Sequence, residues 1–178
     1  KAIRSLETGR FGLGFARNFN SLTLDQLMER LKDATSERQF LMYEALRKGA
    51  DIQKLYELTA IKPWFIQQMK ELVDLEEKVL KHKGGKLPDK LLVQAKKDGF
   101  ADKYLARLLA VPEKEIRTQR QAAGCVEGWH AVPVSGVENA AYYYSSYNAP
   151  DTVPVSNRRK VLVLGGGPNR IGQGIEFD

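Results

Sequence analysis

Six residues recur at an offset of fifty positions, and this repeat narrows the possible folds more than any other feature of the chain. Gly49, Leu55, Leu58, Ala60, Ile61 and Ile66 return as Gly99, Leu105, Leu108, Ala110, Val111 and Ile116. Each set spells a glycine stop, a short apolar helix, a tight apolar turn and a second helix. Two related helix-turn-helix units follow. The small alanine is expected to let the two helices approach, and the β-branched residue after it to plug the corner.

Helical spacing continues on both sides of the repeat. Ser21 and Thr23 offer cap oxygens ahead of Leu24, Leu27, Met28 and Leu31. Thr35 or Ser36 caps a helix with an apolar face of Phe40, Leu41, Ala45 and Leu46, which Gly49 ends. Asp51 caps the next. Pro63 sits where a first turn needs no N–H donor, and the longest helix runs from 63 to about 81. Trp64 and Phe65 lie on its broad apolar stripe, which includes Ile66, Met69, Leu72, Val73, Leu75, Val79 and Leu80; aromatics at this spacing are expected to be core rather than a ligand platform. Pro88 with Asp89 opens a helix ended by Gly99, Asp102 caps another, and Pro112 opens a further one. The sum is about seven helices in about 115 residues, a mainly α, irregular bundle of short pieces. Ahead of it, residues 1–8 read as the end of a helix. Gly9, Gly12 and Gly14 then alternate with Phe11, Leu13 and Phe15 as a loop carrying apolar anchors.

Beyond Gly124 the pattern changes. Residues 130–134 and 140–147 are short and rich in valine and tyrosine, and read as extended crossing segments. Tyr142, Tyr143, Tyr144 and Tyr147 look like a strand lying on a neighbour's surface rather than a base-stacking platform. A linker at 148–157, with Pro150 and Pro154, leads to an apolar strand beginning at Lys160 and then to a loop with glycines at 165, 166, 167, 172 and 174. A strand delivering its end into such a loop is how a nucleotide-binding α/β unit begins, here without its helix and second strand. The spacing is not the G-x-G-x-x-G fingerprint, and no G-K-[ST] follows.

Composition excludes several classes. With 43% hydrophobic and 28% charged residues, the chain is not disordered overall. No apolar run approaches the roughly 18 residues a membrane span needs, so no membrane partner is expected and a cytoplasmic location is the default. Cys125 is the lone cysteine and is read as an ordinary thiol; His82 and His130 are read as non-ligands. The net charge of +6 allows an acidic partner. Residues 101–121 resemble a DNA-binding helix-turn-helix that would present Lys114, Glu115, Arg117, Thr118 and Arg120 to a major groove. Glu113 and Glu115 would then face phosphates, and the first unit carries Trp64 and Phe65 at the equivalent place. No nucleic-acid partner is expected, and this remains the alternative reading.

Longer strings carry more specific information. The stretch GGGPNRIGQGIEFD, from Gly165 to the end, resembles the opening of the second synthetic half of carbamoyl-phosphate synthase large chains. KAIRSLE at the start resembles the end of the first half. ELTAIKPWFIQQMKELVDLEEKV, KKDGFADKYLARLLAV, EIRTQR and AYYYSSY resemble the helical connection (oligomerisation) domain between them. The resemblance covers almost the whole chain. It departs at 132–139, where the family carries a V-D-T-C-A-A-E-F-like segment.

The resemblance implies three regions: 1–20 as the tail of the first synthetic half, 21–150 as the connection domain, and 151–178 as linker and truncated start of the second half. It implies a parent ligase that makes carbamoyl phosphate from bicarbonate, glutamine-derived ammonia and two ATP, with ATP and Mg bound by the halves. None of the phosphate-binding or metal-binding residues of those sites falls on a matching position here. No catalytic, cofactor-binding or metal residue is therefore assigned, and this stretch is expected to be catalytically silent. The lack of an initiator methionine at Lys1 fits an excised piece. Implied partners are the two synthetic halves, other large chains and the glutaminase small chain. Implied settings are arginine or pyrimidine synthesis, in the cytoplasm or in a plastid. Phe11, Phe15 and the tyrosine run are the expected contact surface, while Arg170, Gln173 and Glu176 either make inter-domain polar contacts or only shape the strand-to-helix turn.

Overall fold

A computed structural model describes residues 9–16, 18–138 and 140–163, which divide into two compact units at the Glu127/Gly128 junction. The first unit is helical. After a 3-10 turn at Phe19–Ser21 come α1 (Leu24–Leu31), α2 (Arg38–Arg47), α3 (Ile52–Thr59), α4 (Pro63–Leu80), α5 (Asp89–Lys97), α6 (Asp102–Leu109) and α7 (Glu113–Ala122).

The repeat is reproduced hydrogen bond for hydrogen bond at its start. Gly49 and Gly99 take left-handed φ values of 87° and 90°. The next amide reaches back in the same way: Ala50 N–H to Ala45 O and Phe100 N–H to Ala95 O, both at 2.9 Å. At the second turn the alanines do something the spacing did not suggest. Ala60 and Ala110 are themselves left-handed, at φ 57° and 56°, and so end α3 and α6 in a conformation that normally selects glycine. In the second unit Val111 N–H closes the turn on Ala106 O at 3.1 Å. In the first, the Thr59 hydroxyl accepts from Ile61 N–H at 3.2 Å while donating to Leu55 O at 2.6 Å.

Two apolar cores result. One gathers Leu27 and Leu31 of α1, α2, Leu55, Ile66 and Val73; the other gathers Leu75, Val79, Leu92, Leu105, Leu109 and Ile116. Helix α4, eighteen residues long, serves both, and its Leu72 packs against each. Helix α2 is buried at seven consecutive positions, Phe40 to Leu46, because α1 and α4 pack on it and other residues close the remaining side. The four-residue apolar face expected for it is therefore too narrow.

Capping departs from the sequence reading at two helices. Thr23 caps α1 in a reciprocal box with Gln26, and Asp51 caps α3 by accepting from Lys54 N–H at 3.0 Å. The N-cap of α2 is Glu37, with no side-chain cap bond, and Thr35 only accepts from Glu37 N–H at 3.3 Å. Asp102 does not cap α6: Ala101 stands at the N-cap, and the Asp102 carboxylate is drawn to two cations instead.

The second unit holds a hairpin of β1 (Gly128–Pro133) and β2 (Ala141–Ser146), antiparallel in the register Gly128↔Ser146 to Pro133↔Ala141. The two extended segments thus pair with each other. The chain then returns so that Thr152 N–H donates to Trp129 O at 3.0 Å. Gly128 is required there, since a Cβ would lie 2.6 Å from the Pro150 carbonyl carbon. Residues 160–163 join no strand, and Val161, Leu162 and Val163 stand exposed. The helix end expected at 1–8 and the glycine loop with Arg170, Gln173 and Glu176 lie outside the described residues.

Candidate functional site

A polar seam crosses the helical unit between the two cores. Glu76 on α4 is fully buried, and its Oε2 accepts from the hydroxyls of Tyr43 on α2 and Tyr104 on α6, both at 2.7 Å. Its Oε1 pairs with Arg47, whose guanidinium also takes Glu44 at 3.0 Å and reaches Glu77. Burial, followed by the Glu76 carboxylate, pushes both tyrosine hydroxyls far above the usual phenol range, so both remain donors. Burial works against the Arg47 charge, and the Glu76 and Glu44 carboxylates more than offset it.

The glycine-alternating loop is threaded onto this seam. Phe15 N–H donates to Glu44 Oε1 at 3.0 Å, and the Arg47 guanidinium lies over the Phe15 ring, 5.1 Å from its centroid. A Cβ on Gly12 would sit 2.6 Å from Tyr104 Cζ, and one on Gly14 would sit 2.6 Å from both Arg47 Nη2 and the Tyr104 hydroxyl. Both glycines are there for close approach. Phe11 and Phe15, expected as contact surface, are instead half-buried against the second core, with the Lys103 ammonium 4.2 Å from the Phe11 centroid. They are internal anchors because the seam pulls their loop inward.

A smaller cluster fixes the far end. Lys96 donates to Asp102 Oδ1 at 2.6 Å and to Phe100 O at 2.8 Å, while Arg120 donates to Asp102 Oδ2 at 2.7 Å and to Cys125 O at 3.3 Å. Burial would raise the Asp102 carboxyl, but the hydrogen bonds and charges of Lys96 and Arg120 prevail and hold it below the usual carboxylate range. Burial pushes the neighbouring Cys125 thiol up despite those cations. The groove-reading set of the alternative is broken up accordingly. Arg120 points inward at 9% exposure, and Arg117 pairs with Glu113 at 3.4 Å; Lys114, Glu115 and Thr118 stay at the surface.

The outer surface carries the second feature. Trp64 and Phe65, expected as core, are 65% and 60% exposed. They occupy the first turn of α4, which overhangs the core that begins at Ile66, and their rings meet edge to face with centroids 4.9 Å apart. In the hairpin both faces are apolar and open. Tyr142, Tyr144 and Val132 share one face, where the Tyr144 ring stacks on His130 at 5.1 Å; Trp129 and Tyr143 are on the other. A lone two-stranded hairpin is marginal in water, so such faces are made to be covered. No group of three His, Cys, Asp or Glu residues is gathered for a metal among the described residues, and no described helix is long and apolar enough to cross a membrane.

A helical unit whose buried charged groups are paired in internal staples, with Trp64 and Phe65 left in solvent, has the make-up of a protein-interaction domain. The sequence model of the family described as carbamoyl-phosphate synthetase large chain, oligomerisation domain, matches residues 1–124. The chain belongs to that family. It is 41% identical to the carbamoyl phosphate synthase large chain of Archaeoglobus fulgidus and 43% identical to that of Halomonas eurihalina, all of this chain matching 17% of each. It is 41% identical to the arginine-specific, chloroplastic large chain of Arabidopsis thaliana, matching 15% of that protein. The chain thus spans about one sixth of the length of these relatives.

Proposed function

We propose that this chain is the non-catalytic connection and oligomerisation region of a carbamoyl-phosphate synthase large chain, with its divisions at 1–20, 21–150 and 151–178. The observation that carries the reading is the match of residues 1–124 to the oligomerisation domain. In this role the helical unit associates with other large chains. The hairpin and the exposed Val161, Leu162 and Val163 take up neighbouring synthetic halves of the same polypeptide, which supply the missing cover. ATP and Mg belong to those halves, and the glutaminase small chain joins the assembled enzyme. The setting is the cytoplasm, or the plastid in a plant. The rigidity of the polar seam suits a spacer, because buried, fully paired charges resist rearrangement.

The test is the mass of the 178-residue chain by light scattering across a concentration series. A mass that rises toward twice the chain mass of 20.1 kDa is expected. A single chain mass at every concentration would count against self-association and leave only the spacer role.

A further inference from the structure

Within residues 1–124, the stretch matching the oligomerisation domain, the large apolar side chains most exposed among the described residues are Trp64 and Phe65. The remaining exposed ones, from Val126 onward, lie outside that stretch. The internal repeat provides a control for what the fold itself needs at this place. Fifty positions on, the equivalent residues of α7 are Lys114 and Glu115, both exposed on an otherwise similar helix start. The architecture therefore accepts charged residues at this turn, and the aromatic pair in the first unit answers to something other than folding.

We infer that self-association runs through the amino-terminal end of α4, where Trp64 and Phe65 of one copy meet the same residues of a second copy across a twofold axis. The hairpin then serves contacts other than self-association. This inference rests on the oligomerisation reading above and assigns it a surface. Several features suit a self-complementary patch. From Pro63 to Met69 the helix carries no charge, so two copies do not repel, in a chain that is 28% charged. Gln67 and Gln68 are exposed beside the rings and offer neutral hydrogen bonding at the rim. Ile66, 0% exposed, anchors the turn, and the edge-to-face geometry at 84° presets the rings, so little side-chain freedom is lost on docking. Two such pairs remove on the order of 500 Å² of aromatic surface, enough for the centre of an interface of about 1,200–2,000 Å². Tryptophan at the centre of an interface is the residue most often found to dominate its affinity.

The experiment transplants the control. In the 178-residue chain, Trp64→Lys with Phe65→Glu installs the second repeat's own residues at the first. Sedimentation equilibrium is expected to show dimer affinity weakened on the order of 100-fold, with far-UV circular dichroism and Tm preserved. Tyr142→Ser with Tyr144→Ser should leave the dimer intact. In Trp129→Phe, Trp64 is the one tryptophan left of the two in the chain, so its emission should shift to the blue over the concentration range in which the dimer forms. Should the double variant lose its fold, this emission decides alone. Wild-type association with an unaffected double variant, an emission that does not move, or dissociation caused by the hairpin variant would each overturn the assignment. A wild-type chain that never associates would overturn the oligomerisation reading and this surface with it.

Discussion

Ala60 and Ala110 each hold a backbone conformation that costs a residue with a Cβ about 1–2 kcal/mol, and the repeat keeps both. Glycine would remove that strain and add roughly 0.5–1 kcal/mol of unfolded-state entropy cost. Ala60→Gly and Ala110→Gly are therefore each expected to stabilise the chain slightly, by about 0.5–1 kcal/mol, read as a Tm rise of about 2–3 °C. A fall in Tm would mean that the alanine methyl makes packing contacts worth more than the strain. The repeat was legible because glycine, leucine and alanine return at one offset. The reason for the alanine was not, since a small residue before a β-branched one looks the same whether it separates two helices or turns the chain left-handed. Trp64 and Phe65 were misplaced for a related reason. Helical periodicity marks a stripe but not where along the helix its cover ends, and α4 overhangs its core by a turn.

At the scale of elements, Asp102 shows how a local signal can be overruled. An acidic residue at a helix start reads as a cap, yet its carboxylate is claimed by Lys96 on α5 and Arg120 on α7, six and eighteen positions away. Nothing in the local sequence announces either partner. The same pairing takes Arg120 from the groove-facing set that made α6 and α7 resemble a DNA reader. The β-prone composition of the hairpin strands was likewise readable, but their pairing was not, because the seven residues between them, 134–140, contain no Asn-Gly or Asp-Gly pair to signal a tight hairpin turn. Asp102→Asn should cost about 3 kcal/mol at pH 7, since it removes the buried carboxylate that Lys96 and Arg120 share and leaves Arg120 with the longer, 3.5 Å pairing to Glu127. The pH dependence has a definite sign. A carboxyl held below its unfolded value contributes stability that is present above about pH 4 and lost as pH falls through the folded value. Urea unfolding between pH 7 and pH 3 should therefore show the gap between wild type and Asp102→Asn narrowing toward the acid end. A constant gap would mean that Asp102 acts by shape alone.

At the scale of the helical unit, α2, α4 and α6 bring Tyr43, Glu76 and Tyr104 together between the two cores, which also share Leu72 and are bridged by the loop that sends Leu13 to one and Phe11 and Phe15 to the other. The sequence displayed the glycine loop with its apolar anchors but not this junction, because 28 and 33 positions separate Glu76 from its tyrosines and nothing local marks any of the three as a partner. Because both hydroxyls are raised far above the phenol range, they keep their protons in the folded chain at pH values where the unfolded chain has lost them. Their contribution to stability is thus complete below about pH 10 and lost as pH rises beyond it, at about 1.4 kcal/mol per pH unit for each tyrosine. Tyr43→Phe with Tyr104→Phe removes that dependence along with two hydrogen bonds to a buried carboxylate. The wild type should be the more stable at pH 8, and its advantage should shrink steeply between pH 10 and 11.5. Tyrosinate absorbance offers a second reading on the same samples. Two tyrosines should ionise only as the helical signal collapses, and their release during the native baseline would show that the seam opens locally and does not bind the two repeats into one cooperative unit.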